Sequence, residues 1–286
     1  MSLPRRIAVA SAMALMASAG GLAQQPTFSS RLDVVRVDAL VTDGGRPVRG
    51  LAPADFVVLD NGTPQTVDFA SFETLPVNVI LAFDQSNSVT GERLAQLRDA
   101  ARAVLGALQP RDQAALITFS HRVELRQALT HESRLVVDAV SAAKPSGETS
   151  LFDGVYAGLL VGVNDAARNL VLVFSDGVDT SSWLGAEQII ETARRSDAVV
   201  YALSPKGAGS VPFLRELTDQ TGGSTIEVES LRELSTRFVT ILEEFRHRYL
   251  LSYSPKGVAA PGWHRLEVKL KNRRATVKAR PGYVAR

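Results

Sequence analysis

The chain of 286 residues is longer than one ordinary domain requires, and hydrophobic residues make up 45% of it, enough to fill a sizeable core. Its 32 lysines and arginines nearly balance 30 acidic residues, which argues against a polybasic surface and against nucleic acid as the partner. The sequence contains no cysteine, which excludes disulfides, a thiol nucleophile and lipid attachment through cysteine.

The first residues are typical of a secretory signal peptide. Arg5 and Arg6 form a positive region, residues 7–19 form an apolar stretch too short to span a membrane comfortably, and small residues follow. We predict cleavage after Ala23, which makes residues 1–23 the signal peptide; the alternative is an uncleaved amino-terminal anchor. Because no later stretch is apolar for long enough to span a bilayer, we expect a periplasmic or secreted protein.

The segment after the signal shows the alternation of polar and apolar side chains that is typical of strands. Residues 35–41 alternate in this way before the turn Asp43-Gly44-Gly45. A second run at 55–59 meets the turn Asp60-Asn61-Gly62, and alternation resumes over 66–72, which favours a hairpin. Residues 28–75 are therefore predicted to form a small β unit.

Beyond Pro76 the pattern changes to short apolar runs separated by segments with helical periodicity. The apolar runs are rich in branched side chains, as strands buried on both faces are, and lie at 77–83, 114–119, 170–174 and 198–203. Helical stripes lie at 94–108, 131–143, 151–165, 186–195, 211–220 and 231–246. The alternation predicts an α/β fold with a doubly wound, mostly parallel sheet over residues 77–246.

From residue 248 the period of two returns. Leu266, Val268 and Leu270 alternate with charged residues, and a turn at 272–273 leads to a second alternating stretch over 275–279. Neither the 248–286 segment nor the 28–75 segment has enough strands to be stable alone. We therefore expect the two segments to pair as one small β-sandwich, with the α/β domain inserted in it or flanked by it.

The first buried strand of the α/β region ends in the pattern D-x-S-x-S, formed by Asp84, Ser86 and Ser88. Ligands bind at the carboxyl ends of strands in open sheets, and two more oxygen donors, Thr149 and Asp176, end connections at the same predicted edge. Carboxylate and hydroxyl oxygens suit a hard cation, whereas zinc or copper would want nitrogen or sulfur. Five such ligands would leave an octahedral Mg²⁺ with water and one open position.

Each of these residues also has a simpler interpretation. Asp and Ser before a helix are common caps, so D-x-S-x-S alone fits either role. Asp153, four residues after Thr149, could support the metal from behind its ligands, although an acid in the first turn of a helix is favoured by the helix dipole in any case. The four histidines are scattered and lack the spacing of a zinc site.

Together, D-x-S-x-S, the threonine of a G-x-T-x-x-x-D segment and the later S-D-G resemble the metal-ion-dependent adhesion site (MIDAS) of von Willebrand factor A (VWA) domains. The resemblance covers roughly residues 77–246 and implies a Rossmann-like fold. It implies direct coordination by Ser86 and Ser88, direct or water-mediated coordination by Thr149, and mainly water-mediated contacts from Asp84 and Asp176. The implied cation is Mg²⁺, with Mn²⁺ or Ca²⁺ as alternatives, and a partner's Asp or Glu would complete its shell.

The flanking segments carry a second resemblance. Y-L-L-S-Y-S-P at 249–255, G-W-H-R at 262–265 and A-R-P-G-Y at 279–283 are similar to the carboxyl-terminal part of the VWFA-related family of acidobacterial genomes. This resemblance implies architecture and export more firmly than a biological task. Asn87 departs from the VWA pattern, in which many members carry glycine, but asparagine tolerates left-handed backbone angles.

These features favour a binding module over an enzyme. The leading hypothesis is an exported protein whose metal recruits an acidic side chain of a partner protein, in cell-envelope assembly or adhesion. One alternative is a metal-assisted phosphate hydrolase, because Mg²⁺ and a strand-end aspartate also serve phosphoryl chemistry, but the sequence contains no G-x-S-x-G elbow or Walker loop. The other alternative is a structural module with a vestigial metal site.

Overall fold

The computed structural model describes residues 34–72, 75–163, 167–176, 178–258 and 261–285. The predicted signal peptide, residues 1–23, lies outside the described residues. Within those ranges the helices are α1 Gly91–Gly106, α2 Ser133–Ala142, α3 Leu151–Leu160, α4 Ala186–Arg195, α5 Val211–Thr221 and α6 Leu234–Arg246. The strands are β1 Val35–Asp43, β2 Arg46–Pro47, β3 Phe56–Asp60, β4 Thr63–Gln65, β5 Phe69–Phe72, β6 Val77–Asp84, β7 Gln113–Phe119, β8 Val123–Thr130, β9 Arg168–Phe174, β10 Val199–Pro205, β11 Thr225–Val228, β12 Arg248–Tyr253, β13 Gly262–Leu270, β14 Thr276–Lys278 and β15 Gly282–Ala285.

The central sheet has the strand order β11-β10-β9-β6-β7-β8. All neighbours pair in parallel except β8, which runs antiparallel to β7 at one edge. The middle strand β6 is buried at every position, as its mostly apolar sequence predicts for a strand covered on both faces. One hydrophobic core joins the sheet to α1, α2 and α6, and a second joins its other face to α3, α4 and α5. The predicted doubly wound, mostly parallel α/β fold is confirmed.

The edge strands β8 and β11 were not predicted. In β8 the sequence V-E-L-R-Q-A-L-T lacks the apolar run that identified the central strands, and none of its residues is fully buried. β11 has only four residues, of which one is buried. An edge strand has one neighbour and little core to cover, so hydrophobic pattern identifies it poorly.

Two smaller sheets are formed jointly by the amino-terminal and carboxyl-terminal segments. One sheet has the order β14-β1-β12-β5, with β2 beside β1, and the other has the order β15-β13-β3-β4. β1 pairs antiparallel with β12 from Val35 opposite Tyr253 to Leu40 opposite Arg248. Buried side chains of both sheets share one apolar core. The division of the chain into an inserted α/β domain and a flanking β unit stays a prediction.

Strand partners in these sheets differ from the expected hairpins. The turn at 60–62 does join two paired strands, but the returning strand is the short β4, and β5 crosses to pair with β12 in the other sheet. Likewise β13 pairs with β3 and β15, whereas β14 pairs with β1. Alternation along each strand indicates a half-buried surface but does not identify the partner.

Buried arginines from β9, β12 and the turn between β14 and β15 bind the ends of three helices. Arg168 donates to the carbonyl of Phe245 at 3.1 Å near the end of α6, and Arg248 donates to the carbonyl of Gly222 at 2.5 Å behind α5. Arg280 donates to carbonyls at the end of α4. A helix leaves its last carbonyls without intrahelical partners and carries negative potential there, so a guanidinium stabilises each end.

Candidate metal centre

The D-x-S-x-S segment lies at the middle of the carboxyl edge of the central sheet. Asp84 is the last residue of β6, which has β7 on one side and β9 on the other. The amide of Gln85 still donates to the carbonyl of Phe119 at 2.7 Å, so the loop starts in register with β7. Helix α1 begins at Gly91, and residues 85–90 form the tight connection. Ligand sites of open α/β sheets lie in this position.

Four of the five residues predicted as metal ligands form one hydrogen-bonded group. The amide of Ser86 donates to Asp84 Oδ1 at 2.8 Å, and the hydroxyls of Ser86 and Ser88 lie 2.9 Å apart. The hydroxyl of Ser88 donates to Asp176 Oδ1 at 2.7 Å, although Asp176 follows a different strand. Oxygen atoms distant in sequence thus meet at one point. Their role as metal ligands stays a prediction.

Thr149, the fifth predicted ligand, lies on the adjacent loop. That loop is joined to D-x-S-x-S by two backbone hydrogen bonds, from Asn87 to the Gly147 carbonyl at 3.0 Å and from Ser146 to the Gln85 carbonyl at 2.8 Å. Thr149 is 6% exposed. Its carbonyl accepts from the amide of Thr180 at 2.9 Å, so a loop that follows Asp176 holds it in place.

Glycine is required at position 147 of this loop. Its φ is +68°, in the left-handed region that disfavours other residues. A Cβ atom there would lie 2.1 Å from Nδ1 of His121. The close approach of the backbone to that ring brings the Thr149 loop against the end of β7.

Asp153 contacts the loop after β9. Its Oδ2 accepts from the amide of Trp183 at 2.9 Å, and its Oδ1 accepts from the amide of Leu184 at 3.0 Å. Its own amide donates to the hydroxyl of Ser182 at 3.1 Å. Both carboxylate oxygens are thus used in fixing the loop that holds Thr149. Support of a metal by Asp153 therefore stays a prediction, and such support would act through this loop.

Two acidic side chains at the centre are removed from water. Asp84 is fully buried, and the Asp176 side chain is 2% exposed. Burial raises the pKa of the Asp84 carboxyl to about 6, and the nearby charge of Asp176 adds to the rise, while hydrogen bonds from Ser86 and Ser175 oppose it. The hydroxyl of Ser175 donates to Asp84 Oδ2 at 2.9 Å. A cation beside Asp84 would favour its charged form.

A hard divalent cation fits this donor set. The donors are two carboxylates and several hydroxyls, and oxygen ligands suit Mg²⁺, Mn²⁺ or Ca²⁺ better than softer metals. Within the described ranges there is no group of three or more His, Cys, Asp or Glu placed to hold a metal. Serine and threonine oxygens must therefore supply the remaining contacts to a cation at this centre.

Arg93 is a site residue that the sequence analysis missed. Its Nη1 donates to Asp176 Oδ2 at 2.5 Å and to the Ser88 carbonyl at 3.4 Å, and half of its side chain is exposed. It stands in the first turn of α1, where the helix dipole disfavours a cation. A basic residue at this position, just after an acidic motif, is the signal that could have identified it.

Comparison with known proteins agrees with the geometry. The family model for the von Willebrand factor type A domain matches residues 78–239. This chain belongs to the von Willebrand factor type A family. The Rossmann-like α/β sheet is thus that of a VWA domain, and the predicted membership of the VWA family is confirmed.

Solved structures share the VWA fold at low identity. A von Willebrand factor type A protein from Catenulispora acidiphila has a TM-score of 0.55 at 12% identity, covering 88% of this chain and 74% of that one. Proximal thread matrix protein 1 from the mussel byssus, solved with zinc in its MIDAS motif, has a TM-score of 0.56 at 15% identity, covering 66% of this chain and 50% of that one.

Curated relatives are much longer proteins. Inter-alpha-trypsin inhibitor heavy chain H4 of Homo sapiens is 29% identical over 166 residues, and heavy chain H2 of Mesocricetus auratus is 22% identical over 184 residues. The matches cover 52% and 58% of this chain but only 18% and 19% of those proteins. The similarity therefore spans about a fifth of the length of those proteins.

Proposed function

We propose that this protein is an exported, non-enzymatic VWA module that binds a divalent cation and uses it to hold an Asp or Glu side chain of a partner protein, in adhesion or assembly at the cell envelope. The predicted ligands are Asp84, Ser86, Ser88, Thr149 and Asp176, and the predicted cation is Mg²⁺, with Mn²⁺ or Ca²⁺ as alternatives. The observation that carries the proposal is the hydrogen-bonded convergence of Asp84, Ser86, Ser88 and Asp176.

The side chains of the site divide into a buried support and an exposed face. Asp84 is fully buried and fixes the loop by accepting hydrogen bonds from Ser86 and Ser175. Ser88 is exposed, so the site opens to solvent on that side. When bound, the cation would supply positive charge and an open coordination position for a partner's carboxylate.

A binding role is favoured over catalysis by the partners of the two serines. The hydroxyl of Ser86 bonds to that of Ser88, which donates to Asp176, and no described hydrogen bond joins either serine to a histidine. A serine nucleophile needs a nearby general base to take its proton.

Among the helices in the described ranges, none is long and apolar enough to cross a membrane.

Metal-linked stability tests the proposal directly. A cation that binds only the native state at one hundred times its Kd stabilises it by about 2.7 kcal/mol. We expect Mg²⁺ or Mn²⁺ to raise the melting temperature of the wild type above its value in EDTA, and Asp176→Asn to lose the shift. Asp99→Ala, an exposed change on α1, is the matched control and should keep it. A wild type that melts identically in both buffers contradicts the metal site.

A further inference from the structure

The connection from β9 to α4 carries an aromatic side chain that lies outside the packed core. Residues 178–184 of this connection are here called the rim loop. Within it, Trp183 is 96% exposed. The second tryptophan of the sequence, Trp263, is 41% exposed and packs beneath the guanidinium of Arg194, 4.8 Å from its ring centre. Trp263 contributes to packing, whereas Trp183 presents its whole ring to solvent.

Despite this exposure, the rim loop is fixed in place. Asp153 binds the amides of Trp183 and Leu184 with its two carboxylate oxygens. The amide of Thr180 donates to the carbonyl of Thr149 at 2.9 Å, and the amide of Thr149 donates to the hydroxyl of Thr180 at 3.0 Å. The backbone that carries the indole is therefore ordered before any partner arrives.

Further contacts secure the middle and the first residue of the loop. The hydroxyls of Ser181 and Ser150 lie 2.8 Å apart. Val178, the first residue, packs so closely on Gly209 that a Cβ atom on Gly209 would lie 2.3 Å from a methyl carbon of Val178. Val178 is nevertheless 57% exposed, so the rim loop presents two apolar side chains in all.

The rim loop also borders the candidate metal centre. The amide of Ser181 donates to the carbonyl of the predicted ligand Thr149 at 3.2 Å. Trp183 is two residues further, so its Cα lies at most about 8 Å from that of Ser181. An extended peptide advances about 3.3 Å per residue. A peptide side chain within roughly four residues of the metal-bound carboxylate could therefore reach the indole.

We propose that Trp183 is a second contact for the partner protein that the metal holds. This inference rests on the proposed function. The occupant is an extended acidic segment of another protein that carries an apolar or aromatic side chain within about four residues of its metal-binding carboxylate. A rigid aromatic group beside a desolvated polar contact is a typical centre of binding energy. Because the loop is already fixed, little conformational entropy is lost when the indole is covered.

A peptide array tests both contacts separately. Short peptides carry a central Asp, or Asn in the matched set, and flanking positions are varied among Ser, Lys, Leu and Phe. Wild type, Trp183→Ser and the control Leu160→Ser, an exposed apolar change near the far end of α3, are compared in Mg²⁺ and in EDTA. Melting curves should match in all three, because both side chains are exposed.

We expect the wild type to prefer Asp over Asn in Mg²⁺, with apolar flanks adding at least about tenfold in affinity. Trp183→Ser should lose the gain from apolar flanks but keep the preference for Asp, and Leu160→Ser should keep both. If Trp183→Ser retains the apolar gain, or the wild type has none, the Trp183 contact is refuted. If apolar binding depends on Trp183 but not on Asp or Mg²⁺, the contact stands and the carboxylate-binding function fails.

Indole fluorescence gives an independent readout. The difference between the emission of the wild type and of Trp183→Phe reports on Trp183, and acrylamide should quench that difference strongly in the free protein. Addition of the best peptide with Mg²⁺ should shift the difference to shorter wavelength and protect it from quenching. Unchanged quenching at saturating peptide would contradict burial of the indole by the partner.

Discussion

Removal of the Arg93 guanidinium should tighten metal binding. Arg93 donates to Asp176 Oδ2 at 2.5 Å, so it competes with a cation for one of the two carboxylates and repels the cation itself. A double charge about 5 Å from a single charge costs roughly 1.7 kcal/mol in water-like surroundings. The Arg93 side chain is 50% exposed, and physiological salt screens about half of this interaction. About 1 kcal/mol remains, which is roughly a fivefold change in Kd.

We therefore expect Arg93→Met to bind Mg²⁺ about fivefold more tightly than the wild type in isothermal titration calorimetry. The gain should shrink as ionic strength rises, because the interaction is screened. Arg102→Met is the matched control, since Arg102 lies on the same helix and pairs with Asp99 away from the site. Equal or weaker affinity in Arg93→Met would refute competition between guanidinium and metal.

Three further predictions concern the supports of the fold and the site. Arg280→Ala should cost about 4 kcal/mol and lower the melting temperature by about 8–16 °C, because it removes the donor to the buried bond with the Gly282 carbonyl and to partly buried carbonyls at the end of α4. The exposed Arg195→Ala should cost about 0.5 kcal/mol or less, and equal effects of the two changes would contradict this. Gly147→Ala should cost about 2 kcal/mol or more in urea unfolding, owing to its positive φ and a close ring, and a neutral change would be inconsistent with this backbone. Asp153→Ala should speed hydrogen exchange at the amide of Trp183, and unchanged protection would disprove the anchoring of the rim loop.

The candidate site could be predicted from short sequence patterns to the extent that its chemistry is local. Asp84, Ser86 and Ser88 lie within five residues at the end of an apolar run, and Asp176 follows another such run, so the parallel sheet brings them to one edge. Arg93 has only a weak signal, its position just after the D-x-S-x-S motif, because single basic residues on helices usually face solvent. Its contact with Asp176 depends on how α1 leaves the sheet.

The fold divides in the same way. Mostly apolar runs determined the core strands, and stripes of period 3.6 determined the helices, because burial on one or both faces imposes a local repeat on the sequence. Only the tertiary structure decided which strands pair, since β5 and β12 are adjacent in space but about 180 residues apart in sequence. It also decided which arginines lie buried against helix ends and which loop presents Trp183. Such contacts join isolated polar or aromatic residues, which carry no period along the chain, so their partners are chosen by packing alone.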